Sequence, residues 1–248
     1  MKPSIQLYFD VVSPYAWVAF ETICRYSKRW AVDFRLVPVS QPAIFKSCCI
    51  PDFLNHPIHR RYLFSDIERL SKYYGLPFSL HNSTFRAVEK GTFDAQRLLI
   101  TVALESGVCD TQPLISTPPG TILESVARQL FLRLWSASKN LSSSEDLRLV
   151  LEQACPELSE KNVDRIMERV RQDESTKTAL LSNTECALDL GAFNAPMMHI
   201  RSHGHSDIVF GSDRMPLVAD LVQQPYLGAL KEHSAIPNEQ TKNRTKLA

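Results

Sequence analysis

No apolar run in this sequence approaches the roughly 18 to 20 residues that a membrane-spanning helix needs, so membrane insertion is not expected. Charge of one sign is also missing: 28 Lys and Arg against 27 Asp and Glu leave a formal net charge of +1. With no evident basic patch, the chain offers no general attraction to nucleic acid or to an anionic membrane. A C-x-x-C pair is absent. The six cysteines, Cys24, Cys48, Cys49, Cys109, Cys155 and Cys186, are scattered, which suggests a reduced, intracellular protein. Adjacent cysteines bridge only with strain, so Cys48-Cys49 reads as two thiols. No G-x-S-x-G elbow is present, and no acid and His are recognisably arranged to activate a serine as an acyl nucleophile. Strand residues begin near position 4, which leaves no room for a cleavable secretory or transit peptide. The final Lys246-Leu247-Ala248 is out of register with a peroxisomal Ser-Lys-Leu ending.

What is present organises around Phe9 to Trp17. Upstream, Ile5, Leu7 and Phe9 alternate with Gln6, Tyr8 and Asp10, the period of a half-buried strand. Downstream, Ser13 suits a helix N-cap and Pro14 the first helical position, where a missing N-H costs nothing. A helix N-terminus favours an anion, whether phosphate, carboxylate or thiolate, beside the Ser13 hydroxyl. The plainer reading, that Ser13 is only a cap, stays open on this stretch alone. The four residues that would carry a thioredoxin-like dithiol are Ser13-Pro14-Tyr15-Ala16, so disulfide exchange by that motif is excluded.

A helix from about Tyr15 to Ser27 leads to an alternating strand, Val32 to Val39, giving a β-α-β unit with parallel strands. Residues 40 to 60, with Gln41-Pro42, Ile50-Pro51 and His56-Pro57, read as an irregular loop. From about 61 to 190 the periodicity is helical. Tyr62 to Tyr74 presents Ile67, Leu70 and Tyr74 on one stripe and stops at Gly75. Thr92 is expected to cap a helix to Glu105. Thr121 and Glu124 form a candidate capping box for a helix to Ser136, whose Ile122, Val126, Leu130 and Leu134 read as core. Ser143 or Ser144, then Ser159, are expected caps, and the last helix of the block runs from about Ser175 to Leu190. Arg165, Glu168, Arg169 and Arg171 read as a solvated face. Strand texture returns with Met197 to Ser202 and Asp207 to Gly211, joined by a hairpin through His203 and Gly204. His199, His203 and His205 therefore read as hairpin residues and not as a metal site. Ser212 is expected to cap a helix to about Gln223.

Three separated stretches together resemble kappa-class glutathione transferases: Tyr8-Phe9-Asp10-Val11-Val12-Ser13-Pro14-Tyr15-Ala16-Trp17, Gly191-Ala192-Phe193-Asn194-Ala195-Pro196 and Phe210-Gly211-Ser212-Asp213-Arg214-Met215. Weaker echoes are Tyr62 with Asp66, Lys90 to Ala95, and Trp135-Ser136. The resemblance covers about residues 4 to 230. It implies an α/β, thioredoxin-like fold interrupted by a helical insertion domain, and the texture of the chain divides to match: residues 1–60 and 191–230 form the thioredoxin-like part, the helical stretch 61–190 the insertion, and 231–248, rich in Lys, Asn, Gln and Thr, a mobile tail. It also implies glutathione as co-substrate, with no metal. Ser13 would be catalytic by stabilising the thiolate, and Ser13, Tyr15, His59, Ala195, Pro196, Ser212 and Asp213 would bind glutathione. The cis form of Ala195-Pro196 would leave the Ala195 backbone for the cysteinyl part, and Ser212 and Asp213 would take the γ-glutamyl group. Locally, Ser212-Asp213 also fits an ordinary cap, and Pro196 a plain loop proline.

The resemblance further implies conjugation of small electrophiles or reduction of hydroperoxides, a detoxifying role, a homodimer, and a mitochondrial or peroxisomal setting, with the cytosol as the default. Glutathione-dependent isomerisation of an aromatic carboxylate, as in the related 2-hydroxychromene-2-carboxylate isomerases, and a non-catalytic thioredoxin-fold binding module are the alternatives. The chain departs from the family pattern at Cys48-Cys49-Ile50-Pro51-Asp52, where the family has an Asn before a Pro-Pro pair. It departs again at His59-Arg60-Arg61, where the family has a Lys; His59 or Arg60 is the candidate replacement for that charge.

Overall fold

A computed structural model describes residues 2–51, 56–107 and 114–236. Cys109, Asp52, the middle of the Gly107 to Gly120 loop and the end of the chain from 237 lie outside the described residues. Strand β1, Ser4–Phe9, and β2, Asp33–Pro38, are parallel and joined by helix α1, Pro14–Tyr26. Strands β3, Met197–Ser202, and β4, His205–Phe210, add antiparallel to give the order β2-β1-β3-β4. Leu7 lies opposite both Leu36 and Met198, so the apolar positions of β2, β1 and β3 share one face.

β1 and β2 end at the same edge of the sheet, β3 begins there, and β4 returns to it. Four segments of chain, around residues 10–13, 39–41, 194–196 and 211–213, therefore meet at one end of the sheet.

The helical block comprises α3, Pro57–Tyr74; α4, Asn82–Glu89; α5, Phe93–Glu105; α6, Ile122–Phe131; α7, Ser144–Ala154; α8, Glu160–Gln172; and α9, Glu174–Asp189. Val126, Leu130 and Leu134 are fully buried, and the inward positions Val163, Ile166 and Val170 of α8 are buried with them. Ser143 and Ser159 accept from backbone N–H groups as helix caps. Arg165 and Arg169, expected to be only solvated, bond Glu105 and so tie α8 to α5.

Several expectations are corrected. Residues 41–47 are not irregular: Gln41–Ser47 is helix α2, capped by the Ser40 hydroxyl, with Pro42 tolerated in the first turn. Helix α3 starts at Pro57 and not near 61. Thr92 and Thr121 occupy N-cap positions, but neither side chain bonds its own helix. The Thr121 hydroxyl donates to Pro118, and the Glu124 carboxylate accepts from Gly120 and pairs with Arg128. α6 does not run on to Ser136; Leu132–Ser136 is a π turn. Ser212 does not cap a long helix: Ser212–Arg214 is a 3-10 turn, followed by the short α10, Met215–Leu221. Residues 231–236 pack against the body, with Ile236 buried and Ser234 bonded to Arg25.

Candidate active site

Ser13 takes the extended conformation of an N-cap, and its Oγ accepts the Ala16 N–H at 3.2 Å. Its hydroxyl proton goes to the Ala195 carbonyl oxygen, also at 3.2 Å. The residue is only 4% exposed, yet it lines a cleft of about 790 Å³. All of the residues singled out from sequence line that cleft: Ser13, Tyr15, His59, Ala195, Pro196, Ser212 and Asp213. The sheet end supplies one side of it. The other side is α2 through Gln41 and Phe45, and one face of α3 through Ile58, His59, Tyr62, Leu63, Asp66 and Leu70. Ile58 and Tyr62, 71% and 61% exposed, form a bare apolar part of the α3 wall.

The loop carrying Ser13 is held largely by the helical block. Asp10, 1% exposed, accepts from Val12 N at 3.0 Å, from Gln41 N at 2.9 Å and from the Thr92 hydroxyl at 2.9 Å. The Asp10 carbonyl accepts from Ser13 N. Burial outweighs those three donors and raises the Asp10 carboxyl to about 6. The Trp135 indole N–H donates to Val11 O at 2.9 Å, and the Gln96 amide bridges Phe9 O and Val39 O. Thr92 is thus diverted from capping its own helix to fixing this loop. The role of Asp10, Gln96 and Trp135 as holders of the loop carries no local signal in the sequence.

Around the rest of the cleft the geometry separates the candidates. Ala195-Pro196 is cis. The Ala195 backbone is not free: its N–H bonds Asn194 Oδ1 at 2.8 Å and its carbonyl holds the Ser13 proton. Tyr15 donates to Asp66 Oδ2 at 2.9 Å, and burial together with that carboxylate pushes the phenol up, so Tyr15 stays a neutral donor. His59 stands on the cleft wall beside His56, whereas Arg60 pairs with Glu89 and lies over the Phe85 ring. Of the two candidate replacements for a cation, only His59 lines the cleft. Ile50 does not line it. Ser212 is 3% exposed, and Asp213 pairs with its neighbour Arg214 at 2.7 Å. Gly211 is required between them and β4: it has φ 98°, and a Cβ there would meet Asp213 Oδ1 at 2.6 Å. Gln41 and Phe45 escape a reading of the sequence in which 40–60 is loop. Ser40 ahead of Gln41-Pro42 is the available signal, since a serine cap with proline in the first turn also opens α1.

A family model described as a DsbA-like thioredoxin domain matches residues 4–223. Glutathione S-transferase kappa 2 of Caenorhabditis elegans is 30% identical over 233 residues, covering 92% of this chain and 95% of that protein. The chain belongs to the kappa-class glutathione S-transferases. Glutathione S-transferase kappa 1 of Rattus norvegicus is 29% identical over 225 residues, 90% of this chain and 92% of that one. Among solved structures, a 2-hydroxychromene-2-carboxylate isomerase matches with a TM-score of 0.63 and 14% identity over 99% of both chains, a likeness of fold. In this kappa-class chain the turn opening α1 carries a hydroxyl and no thiol. Among the described residues no group of three or more His, Cys, Asp or Glu could hold a metal, and no helix is long and apolar enough to cross a membrane.

Proposed function

We propose that the cleft binds glutathione and that Ser13 holds its sulfur as a thiolate for transfer to a small electrophile. The observation that carries this reading is a buried hydroxyl at the N-terminus of α1, lining a cleft whose sheet end also bears Ala195, Pro196, Ser212 and Asp213. A free thiol ionises near pH 8.5, so only a few per cent is thiolate at neutrality. Lowering that pKa by one or two units takes about 1.4 to 2.8 kcal/mol of preference for the thiolate. One hydrogen bond to the charged sulfur plus a helix end supplies an energy of this order.

Binding would proceed by exchange of partners. Ser13 turns its proton from the Ala195 carbonyl to the sulfur, and the cysteinyl N–H of the ligand takes the vacated carbonyl. The γ-glutamyl group goes to Ser212 and Asp213, whose carboxylate leaves Arg214 for the ligand ammonium. His59 stands on the α3 wall, within the set that faces the glycyl end. The sulfur then attacks the electrophile, whose leaving group departs, or it attacks the outer oxygen of a hydroperoxide, releasing the alcohol and leaving a glutathione sulfenic acid that a second glutathione converts to the disulfide and water.

The test is to titrate glutathione into the protein and follow thiolate absorbance against pH. Saturable binding with a thiol pKa about one to two units below the free value is expected, restored to near 8.5 in Ser13→Ala. Absence of binding at millimolar glutathione would exclude the transferase reading and favour a non-catalytic binding module.

A further inference from the structure

Buried polar atoms nearly always have partners, so each one without a partner needs a reason. Among the described residues four such side-chain atoms occur: Arg25 Nε, Gln41 Oε1, Gln96 Oε1 and Ser202 Oγ. Gln41 alone of these residues lines the cleft. Its position is fixed through its backbone, whose N–H donates to Asp10 Oδ2, and not through its amide. The Gln41 side chain is half-buried on the cleft wall, and its amide oxygen, turned away from water, has nothing to accept from; rotation of the amide presents that acceptor to a ligand donor.

The strand order says which donor. From β4 to β2 the cleft crosses Ser212 and Asp213, then Pro196 and Ser13, then Gln41. Adjacent strands lie about 4.8 Å apart, so the three intervals span about 14 Å. An extended chain advances about 3.3 to 3.6 Å per residue, so a tripeptide lengthened by a γ-linkage matches that span. With the γ-glutamyl group at Ser212 and the sulfur at Ser13, the third residue lies at the α2 end. The donor that this residue brings is the N–H of the peptide bond joining it to the cysteinyl group.

We propose that Gln41 is a specificity-determining residue whose Oε1 accepts the glycyl N–H, so that the cleft reads glutathione by its second peptide bond as well as by its thiol. This rests on the glutathione reading above and adds a residue to it. A small thiol without that bond leaves the oxygen unpaired and is discriminated against.

The experiment compares glutathione with γ-glutamylcysteine, which has no glycine, by isothermal titration of the wild type, Gln41→Leu and Gln41→Ala. Removing the acceptor leaves the glycyl N–H of bound glutathione without a partner and is expected to raise the glutathione Kd about tenfold in both variants. The γ-glutamylcysteine Kd is expected to move less than about twofold, so the preference between the two thiols shrinks. Ser13→Ala, in contrast, should change thiol ionisation and keep the preference. Unchanged glutathione affinity in the Gln41 variants, or equal weakening for both thiols, would overturn the proposal while leaving the transferase reading intact. A wild type that binds neither thiol would overturn both. The paired variants differ in the volume they leave, so agreement between them excludes a packing effect, and urea unfolding checks that each is folded.

Discussion

Asp10 shows how a single side chain can be both well bonded and uncomfortable. It gathers the loop of Ser13, the start of α2 and the start of α5 through three donors, yet its charge lies out of water. Its carboxyl moves from 3.8 to about 6, so the native state holds the proton more tightly than the unfolded chain does. The resulting stabilisation is complete below the unfolded pKa, near 4, and is lost as pH rises through about 6. Asp10→Asn removes this titration. Urea unfolding between about pH 4 and 6.5 should therefore show the wild type losing up to about 3 kcal/mol relative to the variant across that interval. A difference independent of pH would mean that Asp10 does not titrate in this range. At neutral pH the variant still loses one acceptor, because an amide nitrogen cannot receive the Gln41 N–H. The KM for glutathione should then rise as the start of α2 loosens.

Elements differ in how much of themselves the sequence reveals. β1 and α1 are legible because their signals are local: alternation from Ile5 to Phe9, then Ser13-Pro14. α2 is not, since prolines at 42, 51 and 57 suggest broken chain, although a proline within a first helical turn breaks nothing. Thr92 and Thr121 look like caps because residue type and position agree; their hydroxyls are claimed instead by Asp10 and by Pro118 and Thr117. The cleft residues within the three matched motifs can be read from the sequence, whereas Gln41, Gln96 and Trp135 act across separations of 31, 87 and 124 residues, which no local pattern encodes. The π turn is the sharpest case. One additional residue in a turn rotates all later side chains by about 100°, and such turns are common at functional sites. Trp135 sits in that turn, fully buried, with its indole N–H on Val11 O. Trp135→Phe keeps an aromatic ring and deletes the donor, and the orphaned carbonyl should cost about 1–3 kcal/mol, read as a lower urea midpoint with unchanged slope. An unchanged midpoint would mean that water or a backbone shift satisfies Val11.

The molecule as a whole is tied together through α1, whose first turn lines the cleft and whose later residues reach the far end of the chain. Arg25 donates to Tyr74 O and Ala229 O, Tyr26 to Gly228 O, and Trp30, just beyond the helix, to Pro225 O. Ending the chain at Gln224 removes the acceptors of Tyr26 and Trp30 and leaves Arg25 only Tyr74 O among these, in a region that is otherwise buried, with an expected loss of roughly 2–5 kcal/mol in urea unfolding. Stability equal to that of the intact chain would show the segment to be dispensable.

Time of synthesis gives the interrupted sheet a further meaning. β1 and β2 are complete long before β3, which comes about 160 residues later. At about 5–20 residues per second, a ribosome needs on the order of ten seconds or more to deliver the missing neighbour of β1. For that interval one flank of β1 has no strand to pair with. The helical block emerges first, and through Gln96 and Trp135 it can grip the ends of β1 and β2 before the hairpin arrives. The nascent chain would then assemble the floor of its cleft from the insertion inward, with the β3–β4 hairpin closing the sheet last.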